Sequence, residues 1–245
     1  MDNKKILVLG DSHTYGDGLK DVSLEYPWKG NSKKTWPYHM FDPDNIENRA
    51  YPGCSNDMIF LKLVRHIKDK DLVLIMFTYA ERLHLTKKSC NFTVSHNGCS
   101  SIADNGEENW LAKQIAEQSE EDLRRLFVNH YDDNMLEINM LKNILSCQLL
   151  CEQFKIDYYF TMVECNPKTK CLGSLKEYRD KLFNSINWKK IFLIEGKHGF
   201  KTYGHLVKAD LGLDGRHLGE DYHTWFGEKF IKHIKEDRKI TENQI

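Results

Sequence analysis

The chain has 245 residues, with 35 basic and 36 acidic side chains and a formal net charge of −1. That balance lacks the basic excess of a bulk nucleic-acid binder. Hydrophobic residues make up 40%, which supplies a core and argues against global disorder; mean hydropathy is −0.59, and no apolar run approaches the roughly 20 residues of a membrane helix.

The length suits a single α/β domain over 1–245. After Lys4 and Lys5 comes an apolar run, Ile6–Leu9, that ends in Gly10-Asp11. It is too short for a signal-peptide core of about 7–15 residues, so it reads as a buried first strand and the expected location is the cytoplasm. A weaker strand falls at 46–50. Residues 57–67 carry apolar side chains at 59, 60, 63, 64 and 67, the spacing of a helix. A strand follows at Leu72–Phe77. The stretch at about 86–119 is polar and lacks clear periodicity; it reads as an insertion over one end of the sheet, a lid with some local structure of its own. A long helical pattern spans about 120–154 with a break near 131–134. Strands at 158–163 and 191–194 and an amphipathic helix at 222–235 complete the chain. Strands alternating with helices predict a parallel sheet covered on both faces. The seven cysteines, at 54, 90, 99, 147, 151, 165 and 171, are odd in number and show no CxxC spacing. They read as free thiols, with Cys147 and Cys151 buried on the long helix, and not as a zinc site. The sequon at Asn91-Phe92-Thr93 should stay bare without export.

Two segments carry chemistry. In the first, the opening strand runs into Gly10-Asp11-Ser12-His13, with Gly16 and Gly18 beyond. Ligands of open α/β sheets sit outside the carboxyl ends of the strands, which is where Ser12 falls. A helix starting there would present N–H groups to an anion; equally, Ser12 could be no more than a helix N-cap. Asp11-x-His13 also matches the opening of metallophosphoesterases, whose metal sites need further ligand clusters, typically a Gly-Asp turn and an Asn-His pair. The second segment is Asp214-Gly215-Arg216-His217, with His223 six residues on. A carboxylate three residues before a histidine can fold back onto the ring and steady the imidazolium, and a serine nucleophile needs such a base. Alone, the pair is as compatible with a surface turn.

Taken together, these blocks resemble the SGNH hydrolases of the GDSL esterase and lipase superfamily. Leu7-Val8-Leu9-Gly10-Asp11-Ser12 is similar to the first family block, Asn48 to Gly53 to the second, and Asp214-x-x-His217 with His223 to the last; Trp36-Pro37 lies between as in related sequences. The blocks run in family order over 6–230. The resemblance implies a three-layer α/β/α, flavodoxin-like sandwich around a mostly parallel sheet. It implies Ser12 as nucleophile and first oxyanion donor, Gly53 as second backbone donor, His217 as general base and Asp214 as its orienting partner, with no cofactor and no metal. Loss of one oxyanion donor typically costs ~10²–10³ in rate.

One block departs from the pattern. Where the family carries Gly-x-Asn-Asp after the third strand, this chain has Thr78-Tyr79-Ala80-Glu81-Arg82. Thr78 could offer a hydroxyl and Arg82 a charge from roughly the place of the missing Asn, or Thr78 simply ends the strand and Glu81-Arg82 is a solvated pair. Asn56 is an alternative cap for the helix after Gly53. The Ser-Asn after Gly53, the Thr and the later Arg look similar to a subgroup of SGNH-like proteins in tailed-phage genomes. His13 either lines the pocket or is a polar residue at a helix start, and His223 reads as structural. The tryptophans at 36, 110, 188 and 225 read as packing residues, with Trp110 an alternative carbohydrate platform.

Two functions compete on this basis. One is a serine esterase cleaving an O-acetyl or short acyl group from a carbohydrate or small molecule, with no nucleic-acid or membrane partner. The other is a catalytically weak SGNH-like binding module, motivated by the missing Asn and the polar insertion. Composition carries no mark of the oligomeric state.

Overall fold

A computed structural model describes residues 4–22, 30–87, 90–95, 98–102, 133–164 and 175–242. Strands β1 (Ile6–Leu9), β2 (Ile46–Asn48) and β3 (Leu72–Phe77) come first, with helix α1 (Ser12–Tyr15) after β1 and α2 (Asn56–His66) after β2. Three further strands, β4 (Leu83–Lys87), β5 (Cys90–Ser95) and β6 (Gly98–Ile102), precede the long α3 (Asp133–Phe154). The chain then forms β7 (Asp157–Met162), α4 (Lys176–Ser185), β8 (Ile191–Phe192), α5 (Phe200–Leu206) and α6 (Glu220–Glu242).

The central sheet has five strands in the order β2-β1-β3-β7-β8, every neighbouring pair parallel. All six side chains of β3, Leu-Val-Leu-Ile-Met-Phe, are buried. A strand covered on both faces has no polar face to show, so it reads as an unbroken apolar run. The pleat then sorts the run by parity. Leu7, Leu9, Val73, Ile75, Phe77 and Phe160 pack with Met58, Ile59 and Leu63 of α2 and with Leu141, Ile144, Cys147 and Cys151 of α3. Ile6, Val8, Leu72, Leu74, Met76 and Tyr159 face the other way, onto Trp36, Phe200 of α5 and Phe226, Phe230 and Ile234 of α6. The result is the expected three-layer α/β/α arrangement.

The strand order reverses between β1 and β3, since the chain leaves β1 for β2 on one side and returns to β3 on the other. Open α/β sheets place their ligand crevice at such a switch point, beyond the carboxyl ends of the strands. Asp11-Ser12 follows β1 there, and Thr78 follows β3.

Several elements differ from expectation. The weak strand at 46–50 is shorter, Ile46–Asn48, and the run at 191–194 is a two-residue strand followed by a bridge between Ile194 and His198. The last helix starts two residues early, at Glu220, and continues to Glu242. In and just before the segment read as a lid, β4, β5 and β6 form a separate antiparallel sheet, paired Leu83 to Val94 and Asn91 to Ile102 at its ends. The alternation of Cys90, Phe92 and Val94 with Asn91, Thr93 and Ser95 is the period-2 signal for β5. Helices α4 and α5 were not expected; α4 buries no side chain fully and α5 has seven residues, so neither shows a long apolar stripe. The helical pattern before 133, the rest of the inserted segment and Trp110 lie outside the described residues. Cys54, Cys147 and Cys151 are buried free thiols. Among the described residues no helix is long and apolar enough to cross a membrane.

Candidate active site

The sharp turn after β1 is built by Asp11. Its carboxylate Oδ1 accepts the backbone N–H of His13 at 3.1 Å, so Asp11, and not Ser12, is the N-cap of α1. Ser12 is the first residue of that single helical turn. The turn closes at Gly16, whose N–H donates to the Ser12 carbonyl at 2.8 Å.

The segment carrying Asp214 and His217 folds back on itself before α6. Gly212 donates to the His217 carbonyl at 2.8 Å, and Gly215 to the Gly212 carbonyl at 3.0 Å. The loop is fastened to the turn after α1 by the Leu213 N–H, which donates to the Gly18 carbonyl at 2.7 Å. Gly18 has φ +79°, and a Cβ there would stand 2.6 Å from Asp214 Oδ1. Only glycine allows both that conformation and that approach, so the glycine-spaced stretch after Ser12 is a seat for the distant Asp214 loop.

This seat brings Ser12, His217 and Asp214 into one line. Ser12 Oγ lies 2.9 Å from His217 Nε2, and His217 Nδ1 lies 2.5 Å from Asp214 Oδ2. A carboxylate can only accept, so Nδ1 carries a proton; in the neutral imidazole this fixes the tautomer in which Nε2 can accept from the Ser12 hydroxyl. Asp214 Oδ1 accepts the N–H groups of Arg216 at 2.9 Å and His217 at 3.0 Å. Burial pushes the Asp214 carboxyl up, but the hydrogen bonds from the His217 ring and these two N–H groups outweigh it and hold the group at about 2.

Asp11 is fully buried and sits between Ser12 and the end of β3. Its Oδ2 accepts the Thr78 hydroxyl at 2.7 Å and Arg82 at 2.9 Å, and Arg82 also donates to the Thr78 hydroxyl at 2.8 Å and to the Cys54 carbonyl at 3.4 Å. Burial raises the Asp11 carboxyl, yet the His13 and Arg82 charges with the Thr78 and His13 hydrogen bonds keep it below the usual carboxylate range. The expectation that Thr78 offers its hydroxyl to an oxyanion therefore meets a hydroxyl already engaged on both sides. Glu81-Arg82 is likewise more than a solvated pair, because Arg82 neutralises a buried carboxylate. Asp11, with these partners, is a structural charge and not a free metal ligand; among the described residues no group of three or more His, Cys, Asp and Glu side chains could hold a metal ion.

Asn56 is not the cap of α2. Ser55 is, its side chain accepting the Met58 N–H at 3.2 Å. Asn56 instead clasps the end of β3: its Oδ1 accepts the Thr78 N–H at 2.9 Å, and its Nδ2 donates to the carbonyls of Thr78 at 3.3 Å and Tyr79 at 3.4 Å. Gly53 lies in the loop before α2 with φ +74°. The loop is held by the Tyr51 N–H on the Gly10 carbonyl at 3.1 Å, and Asn48 donates to the Thr14 carbonyl at 3.1 Å. Among the described residues, neither the Ser12 nor the Gly53 N–H has an acceptor.

His13 is buried, its ring edge-on to His217 at 5.0 Å and tilted against Phe200 at 5.6 Å. Burial, helped by the neighbouring His217, Lys201 and Arg82 charges and opposed by Asp11, brings it down to about 3, so it is neutral near pH 7. His223, read from the sequence as structural, is buried; its Nδ1 accepts the Trp36 N–H at 3.3 Å, and burial pushes its ring well below the usual histidine range. Two neighbours escaped the sequence reading. Tyr79 lies between Arg82, 4.7 Å above its ring, and Lys201, whose Nζ donates to its hydroxyl at 2.6 Å. Asp17 is half-buried between the two segments. Burial raises its carboxyl to about 6, with His217 opposing and Asp11 and Asp214 adding to the rise.

The sequence matches no protein-family model and no curated protein. Among solved structures, the chain is similar to a Bacteroides fragilis protein assigned as an acylhydrolase, at 15% identity over 96% of this chain and 88% of that one, TM-score 0.42. It is also similar to a carbohydrate esterase described as having divergent catalytic and non-catalytic binding functions, at 12% identity over 95% and 68%, TM-score 0.45. An acetyl xylan esterase follows at 11% identity over 92% and 97%, TM-score 0.42. Likeness at this level assigns no residue a role.

Proposed function

We propose that the chain is a serine hydrolase of the SGNH class that cleaves an ester, with an O-acetyl or other short acyl group on a carbohydrate or small molecule as its substrate class. The observation that carries this reading is the hydrogen-bonded line from the Ser12 hydroxyl through His217 to Asp214 at the switch point of the sheet. In this reading Ser12 Oγ attacks the ester carbonyl, and its proton passes to His217 Nε2 as the C–O bond forms. Asp214 is ionised and already bonded to Nδ1, so it steadies the imidazolium without taking the proton. The N–H groups of Ser12 and Gly53, which have no acceptor among the described residues, are suited to receive the developing oxyanion. His217 then returns the proton to the departing alcohol, and water hydrolyses the acyl-enzyme by the same relay in reverse.

The third donor of the family pattern is not assigned to Thr78, whose hydroxyl Asp11 holds. His13, neutral and packed edge-on to His217, is suited to be a pocket wall. Arg82 and Asn56 act on the site through Asp11 and Thr78. The test is a fluorophosphonate probe with the modified residue located by mass spectrometry. Labelling at Ser12, abolished in His217→Ala, is the expected result. A folded protein that is not labelled, or that is labelled equally in His217→Ala, would overturn the reading.

A further inference from the structure

Among the described residues three carboxylates, Asp11, Asp17 and Asp214, lie beside the Ser12–His217 pair, and two of them are held by local donors. Asp11 accepts from Thr78, Arg82 and the His13 N–H; Asp214 accepts from the His217 ring and two backbone N–H groups. Asp17 differs. Its Oδ1 is buried, yet it has no hydrogen-bond partner among the described residues. Burying an unpaired carboxylate oxygen is costly, and this one is placed with care. The Asp17 N–H donates to the Ser12 carbonyl at 3.1 Å, and the next residue, Gly18, is the one that seats the Asp214 loop. The same short turn therefore ties Asp17 to the serine on one side and to the histidine's loop on the other.

We propose that Asp17 is a positioning residue for His217: a carboxylate whose buried Oδ1 has no partner among the described residues, held by the turn that seats the Asp214 loop, and whose charge supports the imidazolium formed when Ser12 gives up its proton. The inference rests on the hydrolase reading above. A carboxylate with three or four donors is largely neutralised by them, whereas one without donors acts on whatever cation forms beside it, most strongly in a site of low dielectric. The charged and titratable groups facing Asp17 are Asp11, Asp214, His217 and, from α1 itself, Tyr15. Those facing His217 are Asp214, Asp17, His13 and His223. Because burial lifts Asp17 to about 6, its charge develops over the same range, roughly pH 5–8, in which histidines change theirs. Acidification protonates the base and also removes the charge that supports it, so the acid side of the rate profile becomes steeper than one proton allows.

The test needs no natural substrate. The second-order rate of fluorophosphonate labelling at Ser12 is measured from pH 4.5 to 9 for the wild type and Asp17→Asn, a near-isosteric change. The expected wild-type acid limb approaches a slope of two. In Asp17→Asn the limb falls to a slope of one, its midpoint moves to lower pH, and the plateau drops roughly tenfold. A merely structural role would lower the melting temperature and leave midpoint and slope where they are, and that result overturns the proposal while leaving the hydrolase reading intact. Absence of labelling in the wild type overturns the hydrolase reading, and the inference with it. Should Asp17→Asn fail to fold, the imidazole of His217 is titrated by NMR in the wild type: two inflections are expected, and a single one overturns the proposal.

Discussion

Replacing Arg82 by Met keeps most of the side-chain volume and removes the cation that faces Asp11. The Asp11 side chain is 0% exposed and that of Arg82 21%, with 2.9 Å between them. Removing one partner of a buried pair costs about 3–5 kcal/mol, because the other charge stays buried without compensation. The Thr78 hydroxyl and the His13 N–H remain on Asp11, which places the expected loss near the lower end, about 3 kcal/mol. For a chain of this size that is a drop of roughly 6–12 °C in Tm, taking about 2–4 °C per kcal/mol. The pH dependence gives a second check. In the wild type the folded Asp11 carboxyl lies below its unfolded value, so the pair's stabilisation is fully present above about pH 4 and fades as the pH falls toward the folded value. In Arg82→Met burial dominates and lifts the carboxyl above its unfolded value, so the variant gains stability on protonation. The gap between the two proteins should therefore be widest near pH 7 and narrow toward pH 4. Urea unfolding at both pH values measures it. A gap below about 1 kcal/mol at pH 7, the size expected of an exposed pair, or a gap that widens on acidification, refutes the account of Asp11 as a buried charge held by Arg82.

Gly18→Ala forces a side chain into the left-handed region, at about 1–2 kcal/mol, and drives its Cβ into the Asp214 carboxylate. Labelling of Ser12 should fall by more than tenfold while the melting point drops only a few degrees; unchanged labelling would show that the turn does not seat the Asp214 loop. Cys54, Cys147 and Cys151 are buried, and burial pushes their thiols upward, Cys151 to about 12. Alkylation at pH 8 followed by peptide mapping should leave all three unmodified in the native protein and modify them in urea; rapid native modification of any one would contradict its burial.

The two ends of the site were legible in the sequence because each is a local pattern. A four-residue apolar run ending in Gly-Asp-Ser marks a strand followed by a tight turn, and an Asp three residues before a His closes a ring of bonds that involves only its own neighbours. The strands of the central sheet were legible for a related reason: burial on both faces leaves runs such as Leu72–Phe77 without a polar residue. Helices α4 and α5 left no such mark, because one buries no side chain fully and the other is too short for a stripe to repeat.

What Asp11, Thr78, Arg82 and Asn56 do was decided by tertiary structure alone. The sequence places Asp11 beside Ser12 and Thr78 after a strand; only the adjacency of β1 and β3 joins them, across 67 positions of chain, into one buried charge cluster that takes up the Thr78 hydroxyl. Asp17 is the clearest case. By sequence it is an acidic residue between two glycines, the usual composition of a solvated turn. It becomes a half-buried carboxylate, its buried Oδ1 without a partner among the described residues, where the Asp214 loop, some 200 positions later, docks on that turn through Gly18. Local patterns report which backbone a segment adopts. Desolvation and pairing depend on which segments end up side by side, and these two properties set the charge state of every carboxylate in this site.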